Sequence, residues 1–533
     1  LKKRWASKRG SEPAGLVVSE FEALLGLLLA AVILAALARR IGVPYPAFLA
    51  LGGAVLAFVP GAPAFAVEPR LALALFVAPV LLDAAFDASP RDLRGNWVPL
   101  VNLVIVGVAL TTAAVAIVVR TLVPAVPWPA AIALGAIVAP PDATAATAVL
   151  RHVRPPHRLL TILEGESLLN DASALLIYRV ALGALATSSF TIGGVAPTFL
   201  IAVVGSVFAG PAAAWLMLRL TRNVRDVPTS IIVQFIATFG VWIVAERIGL
   251  SGVLTMVCFA FAVARPASAA TPARMRIPSY AVWDTAVFVL NVLAFVFIGL
   301  QIRPILGPLD ASVRVQYLGI AGAVLLTVIV VRLAWVSIYY GALRWRSRRD
   351  ARHGLPGQRP SFRRALIVGW SFMRGIVTLA AALALPLEAQ GAPFPFRDLI
   401  VLTAFAVVLG TLLLQGLTLG PLLRAFRIDD DDPIEQEVES ARESALRAAL
   451  ETFDGIDSEM ARLVGQEFKS HLRPARTAVD DIAADHQGLH RSALAAARRT
   501  IFAMRANEEI GDDAFHRLEE EFDWMEMAND PEE

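Results

Sequence analysis

Apolar stretches long enough to cross a bilayer recur between residues 20 and 425, and they decide the fold class. In hydrocarbon each backbone N–H and C=O must find its partner within the protein, so a continuous apolar run of this length is a transmembrane helix. Thirteen such segments are legible: 20–39, 44–60, 70–86, 96–120, 128–150, 157–183, 193–220, 226–247, 250–265, 279–301, 314–343, 363–386 and 397–425. Pro60-Gly61, Pro69, Pro124, Pro155-Pro156, Gly193-Gly194, Pro266 and Gly391 punctuate them as turn signals. Composition agrees: only 18% of the residues are charged, against about 25% in soluble domains. The lone Cys258 excludes a disulfide framework and a cysteine-based zinc site.

Charge is divided along the chain. From Ile428 to the end there are 28 acidic and 11 basic residues, a net of −17, which leaves +19 for the membrane part. The expected division is an N-terminal tail (1–19), a transmembrane domain (20–427) and an acidic, helical cytosolic domain (428–533). The first apolar segment is too long for a signal-peptide core and no small-residue cleavage site follows it, so it reads as a retained span. One alternating set of loops is rich in arginine, including Arg39, Arg40, Arg91, Arg94, Arg222, Arg225, Arg274 and Arg276. That set is expected on the cytoplasmic side of the cell's inner membrane, with the C-terminus inside and the N-terminus outside. Lys2, Lys3, Arg4, Lys8 and Arg9 oppose this orientation as one tail against six loops.

Polar residues inside these spans carry the functional signal. Asp142, Glu166, Asp171 and Arg374 fall well within them, and each costs roughly 2.5–3.5 kcal/mol at a helix centre. Pairing one acid with the arginine leaves at least one carboxylate for water or a bound ion to solvate. Glu166 and Asn170 stand one turn apart on one helix face, and Ser167 and Asp171 on the adjacent face. In the fifth span, Pro140-Pro141 removes two backbone donors directly before Asp142. Broken backbone is tolerated at depth only inside protein or along a cavity. The twelfth span has a second weak point, with Gly369 and Gly375 on either side of Arg374. Spans five and twelve are seven apart and so run oppositely, the arrangement of two inverted halves with a midplane binding site.

The stretches EGESLLNDA (164–172), GWSFMRGIVTLAAALALP (369–386) and NVLAFVFIGLQI (291–302) resemble the sodium/proton antiporter family of the NhaP and NHE type. The tail ending in IGDDAFHRLEEEFDWMEM is similar to that family's bacterial branch. The resemblance implies an all-α polytopic fold of about thirteen helices, built as an inverted repeat with helices 5 and 12 broken. It implies a moving core (96–183 and 314–425) and a scaffold (20–86 and 193–301) that forms a homodimer, the core travelling as an elevator. Asp171 is then the carboxylate that takes a proton or a cation, and Asn170 its neutral partner. Glu166 pairs with Arg374 as a structural ion pair. Asp142 matches the acid of a Thr-Asp-Pro motif from which this chain departs, with Pro141 and Ala143 in the flanking places and Thr144 two residues on as a substitute hydroxyl. Phe372-Met373 stands where the family has a small pair. The implied cargo is Na+, with K+ or Li+ as alternatives, against H+. An Asn-Asp pair implies one-for-one, electroneutral exchange.

The chemistry does not need the family. Desolvation favours the neutral form of a carboxyl group, so protons and hard monovalent cations can compete for one site, and alternating access then makes an exchanger. Asp142 also reads as a cap on the second half of its own broken helix. Asp83 reads either as an acid near the ion path or as a polar group at a span end. Arg332, Asp284, Glu164 and Arg179 read as side chains that snorkel to span ends, and His152 and His157 as solvated loop residues. The tail is expected as an amphipathic helix after an acidic run at 429–432, a longer helix near 475–506, a turn at Gly511 and a short helix ending near Met525. It is either a solvated domain or a regulator that docks on the arginine-rich loops. No H-E-x-x-H occurs and every histidine lies in a loop or the tail, so an intramembrane enzyme is not expected. Neither a cofactor nor a nucleic-acid partner is expected; the partners are the bilayer and a second copy of the chain. A channel or a non-transporting sensor are the competing classes.

Overall fold

The computed structural model describes residues 14–41, 44–59, 68–142, 145–147, 157–186, 192–352, 362–389, 391–426, 433–453, 458–470 and 483–529. Thr144, His152 and the acidic run at 429–432 lie outside the described residues.

Helix α1 spans Ala14–Ile41 and α2 Tyr45–Leu56. A π-helical segment, Leu73–Val77, leads into α3 (Ala78–Asp87), and the short α4 (Pro90–Gly95) follows. A second π-helical segment, Asn102–Gly107, leads into α5 (Val108–Leu122). Next come α6 (Trp128–Val138), α7 (His157–Ala186) and α8 (Ile192–Thr221). They are followed by α9 (Val227–Arg247), α10 (Gly252–Ala270) and α11 (Ala273–Leu300). Helix α12 is the long Ala311–Arg352, α13 is Phe362–Trp370, α14 is Ile376–Leu383 and α15 is Arg397–Phe426. The last four are α16 (Pro433–Glu451), α17 (Glu459–Ser470), α18 (Ala483–Ala506) and α19 (Asp512–Asn529). One two-residue hairpin pairs Glu388–Ala389 with Ala392–Pro393 around Gly391, whose φ of 75° suits a residue without a Cβ.

Among the described residues, seven helices are long and apolar enough to cross a membrane, and Tyr45–Leu56, Leu73–Phe86, Trp128–Val138 and Gly252–Ala264 are shorter apolar helices. Two punctuation marks of the sequence do not end elements. Pro266 stands inside α10, and Gly193 lies in the first turn of α8. A lone proline removes one backbone hydrogen bond, and the apolar part of α10, Gly252–Ala264, is already complete before Pro266.

Helices α6 and α15 form the centre. Every residue of α6 from Ala133 to Val138 is buried, as expected of a helix that is apolar all round. Its Gly135 lets α5 approach, since a Cβ there would stand 2.5 Å from the Thr112 carbonyl oxygen. Helices α2 and α11 cross the same way, with Gly53 against Val296 and Gly299 against Ala50. Small residues at such crossings let backbones pack where lipid offers no hydrophobic gain.

The last four helices have their own core. Val438, Ala441, Ala445 and Ala449 recur at helical spacing along α16 and pack with Ile501, Phe515, Leu518 and Phe522. This domain docks on one end of the bundle. Arg276, in the first turn of α11, gives its Nε to Asp523 at 2.7 Å and lies 3.2 Å from Glu519. Arg498 reaches Asp523 at 2.7 Å. On α4, Arg91 pairs with Glu437 at 2.6 Å and Arg94 with Glu508. Arg276 and Asp523 are almost wholly buried. Removing one partner of a buried pair costs about 3–5 kcal/mol, so Asp523→Asn is expected to loosen this attachment. Faster proteolytic release of the C-terminal domain would be its sign; an unchanged rate would mean that the remaining contacts, the pairs of Arg91 and Arg94 among them, suffice to hold it.

Candidate ion-binding site

The site lies where α7 passes two stretches of non-helical backbone. Helix α6 stops at Val138, and the chain from Ala139 through Pro140 and Pro141 to Asp142 is non-helical. Between α13 and α14 the chain leaves the helix at residues 371–375. The two stretches touch, because the Asp142 N–H donates to the Met373 carbonyl at 2.7 Å. A Cβ on Gly375 would fall 1.5 Å from the Asp142 carboxylate, so only glycine fits there. Asp142 therefore sits beside the N-terminus of α14, where the helix dipole favours a negative charge. Gly375→Ala is expected to displace this carboxylate and to lower transport at least about ten-fold, as misplacement of a reacting group by an ångström does elsewhere. Wild-type rates in that variant would show that the position of Asp142 does not matter.

On α7, Glu166, Asn170 and Asp171 are all buried. Both Glu166 oxygens accept from Arg332 on α12, from Nη1 and Nη2, each at 2.5 Å. This corrects the pairing of Glu166 with Arg374 implied by the family resemblance. It also corrects the reading of Arg332 as a snorkelling residue, since it stands near the middle of α12, too far from either end to reach it. Asn170 donates to Glu166 at 3.2 Å, so the amide belongs to the ion pair. Arg374 serves the broken backbone instead. Its Nε donates to the Val138 carbonyl at 3.0 Å and its Nη1 to the Phe372 carbonyl, while its N–H donates to Thr411 on α15 at 3.1 Å. Chain breaks free carbonyls that need donors, and a five-donor guanidinium supplies them. Phe372 fills the place of a small residue by lying against both guanidiniums, with Cζ of Arg332 3.9 Å and of Arg374 4.2 Å from its ring centroid.

Asp171 faces a cavity of about 60 Å³, enough for a few waters or a partly hydrated monovalent cation. Asp142, Ser167, Asn291 and Thr378 line it with Asp171. Asp171 Oδ1 has no hydrogen-bond partner in the structure. Ser167 donates to the Pro141 carbonyl at 3.3 Å, tying α7 to the break. The cavity extends past Ala84 of α3 and the exposed Glu164, toward the end of the bundle that carries the C-terminal domain. Asp83 is half-buried and is not part of the lining, which α3 supplies through Val80, Leu81 and Ala84. Thr144 lies outside the described residues. Three contributors escape a reading of the sequence: Arg332, Asn291 and Thr378. Asn291 had a signal, as a lone amide near the middle of an apolar helix.

Residues 27–425 match the family described as sodium/hydrogen exchanger, transmembrane. The chain belongs to that family. By that family it is a transmembrane exchanger of cations and protons rather than an enzyme. It is 29% identical over 448 residues to a sodium, potassium, lithium and rubidium/H(+) antiporter of Bacillus pumilus, covering 81% of this chain and 66% of that protein. It is 30% identical over 470 residues to an uncharacterised Na(+)/H(+) exchanger of Mycobacterium bovis, covering 86% of this chain and 83% of the relative. The fold resembles the sodium proton antiporter MjNhaP1 of Methanocaldococcus jannaschii, with a TM-score of 0.59 at 17% identity over 76% of this chain and 98% of the other.

Proposed function

We propose that this member of the sodium/hydrogen exchanger family is a secondary active antiporter in which one proton or one monovalent cation occupies Asp171 in turn. The observation that carries this is a buried carboxylate with an oxygen free of protein hydrogen bonds, facing a cavity bounded by Asp142 and Ser167. Glu166 is committed to Arg332, Asn170 to Glu166 and Asp142 to the N-terminus of α14, which leaves Asp171 as the group free to exchange ligands. Such a site supports one-for-one, electroneutral transport; a current in planar bilayers that scales with flux would refute it. Sodium is the first reading. The names of the Bacillus relatives, which include potassium, lithium and rubidium, favour a second in which potassium is carried by the same mechanism. Thr144 belongs to the proposal as a coordinating hydroxyl, and Asp83 as an acid near the ion path.

The architecture proposed around this site has thirteen spans in two inverted halves. Spans five and twelve are interrupted where α6 ends and where α13 gives way to α14. A core of spans 4–6 and 11–13 moves against a scaffold of spans 1–3 and 7–10, through which two copies pair. The arginine-rich end lies in the cytoplasm with the C-terminal domain, in the inner membrane. The contacts of Glu437, Glu508 and Asp523 with Arg91, Arg94 and Arg276 support a regulatory tail, because α4 joins span 3 of the scaffold to span 4 of the core. The test is cation-driven collapse of an imposed pH gradient in proteoliposomes, with sodium, potassium and lithium added in turn. Silence with all three would leave a sensor or a different solute.

A further inference from the structure

Arg179 lies on α7 eight residues beyond Asp171, roughly 12 Å farther along the helix and away from the end where the cavity opens. There it meets the connection between α9 and α10. Its Nη2 donates to both Glu246 oxygens at 2.5 and 2.6 Å, and its Nη1 to the Leu250 carbonyl at 3.1 Å. The acceptor side is built without Arg179. Glu246 also accepts from the Gly252 N–H at 2.9 Å, the first N–H of α10, and Ser251 N–H donates to Ser206 of α8 at 3.0 Å. The receptor is therefore one rigid corner of α8, α9 and α10, and α7 contributes a single arginine to it. Between Asp171 and this corner α7 presents Leu175 to an apolar cluster with Met256, Phe259 and Ala260, which Leu168 joins from the other side of Asp171. A smooth apolar face can slide; the bidentate pair at its edge cannot without breaking.

We propose that Arg179 and the Glu246–Leu250 corner are a latch that closes the far side of the site while the cavity is open toward the C-terminal domain, and that it releases in each transport cycle. This rests on the reading of α7 as part of a core that moves against a scaffold. Both side chains are about two-fifths exposed, 40% and 39%, so water can replace each partner and the latch biases the two states without freezing either. An exposed pair of this kind shifts an equilibrium by about two- to five-fold.

The experiment places Arg179→Cys and Glu246→Cys in a Cys258→Ser background and joins them with a short, reducible thiol cross-linker in proteoliposomes. Cross-linking is expected to cut exchange at least about ten-fold, since the state open to the far side is then unreachable, and reductant to restore it. Exchange at the unlinked rate in fully linked protein overturns the latch. A second measurement needs no transport: in a Leu175→Cys, Cys258→Ser protein, adding Glu246→Gln is expected to speed labelling by a thiol reagent confined to the far side two- to five-fold. Unchanged labelling overturns the latch as well. If the unlinked protein moves no cation at all, it is the exchanger reading that fails, and labelling still decides the latch.

Discussion

Asp171→Asn is expected to reduce cation-dependent proton movement to the level of liposomes without protein, while the variant folds and inserts as the wild type does. Asparagine keeps the shape of the side chain but can neither release a proton nor neutralise a cation. The fold has little at stake, because Asp171 Oδ1 has no hydrogen-bond partner to lose and a neutral amide is easier to bury than a carboxylate. Loss of transport with unchanged thermal stability is thus the signature of the exchange site. Retained exchange would move the cargo elsewhere, with Asp142 the next carboxylate to test. Asp142→Asn should also lower transport, but with a structural penalty, since that side chain is packed against Gly375.

The second large effect concerns the ion pair. Arg332→Met alone strands a buried Glu166 and is expected to destabilise the protein by about 3–5 kcal/mol, whereas Glu166→Leu combined with Arg332→Met should recover much of that loss. A double-mutant cycle on thermal stability in detergent should therefore show strong coupling between Glu166 and Arg332. The same cycle with Arg374 should show weaker coupling, because the Arg374 guanidinium is spent on the carbonyls of Val138 and Phe372. Equal coupling for both arginines would restore Arg374 as a full partner of Glu166.

These two sites mark what a sequence can and cannot convey. A charged residue deep in an apolar run is conspicuous because its cost does not depend on the neighbours, so Asp142, Glu166, Asp171 and Arg374 stand out before any fold is known. The double proline at 140–141 is legible for the same kind of reason, a local loss of donors. The partner of Glu166 is a different kind of fact. Two arginines lie at depth, and which one faces α7 depends on how α12 and the 371–375 stretch sit around it, which no periodicity records. Asn291 and Thr378 reach the cavity from two further elements; the lone amide in an apolar helix marks Asn291, but nothing in its own segment announces Thr378. Pro266 misleads in the opposite sense: it reads as a helix end, yet α10 continues past it to Ala270.

The pair between Glu166 and Arg332 also has a history within each molecule, since its two members lie 166 residues apart in the chain. At synthesis rates of 5–20 residues per second the glutamate is made roughly 8 to 33 s before its arginine exists. Through that interval Glu166 lacks the arginine that it pairs with, and Asn170, one turn away, is the donor already at hand. Whatever machinery inserts the chain must keep α7 out of open lipid, or leave Glu166 protonated, until α12 arrives. The part of the chain that carries Asp171 therefore cannot mature on its own: a chain that stops before Arg332 lacks the partner of Glu166 and also Thr378 of the cavity wall.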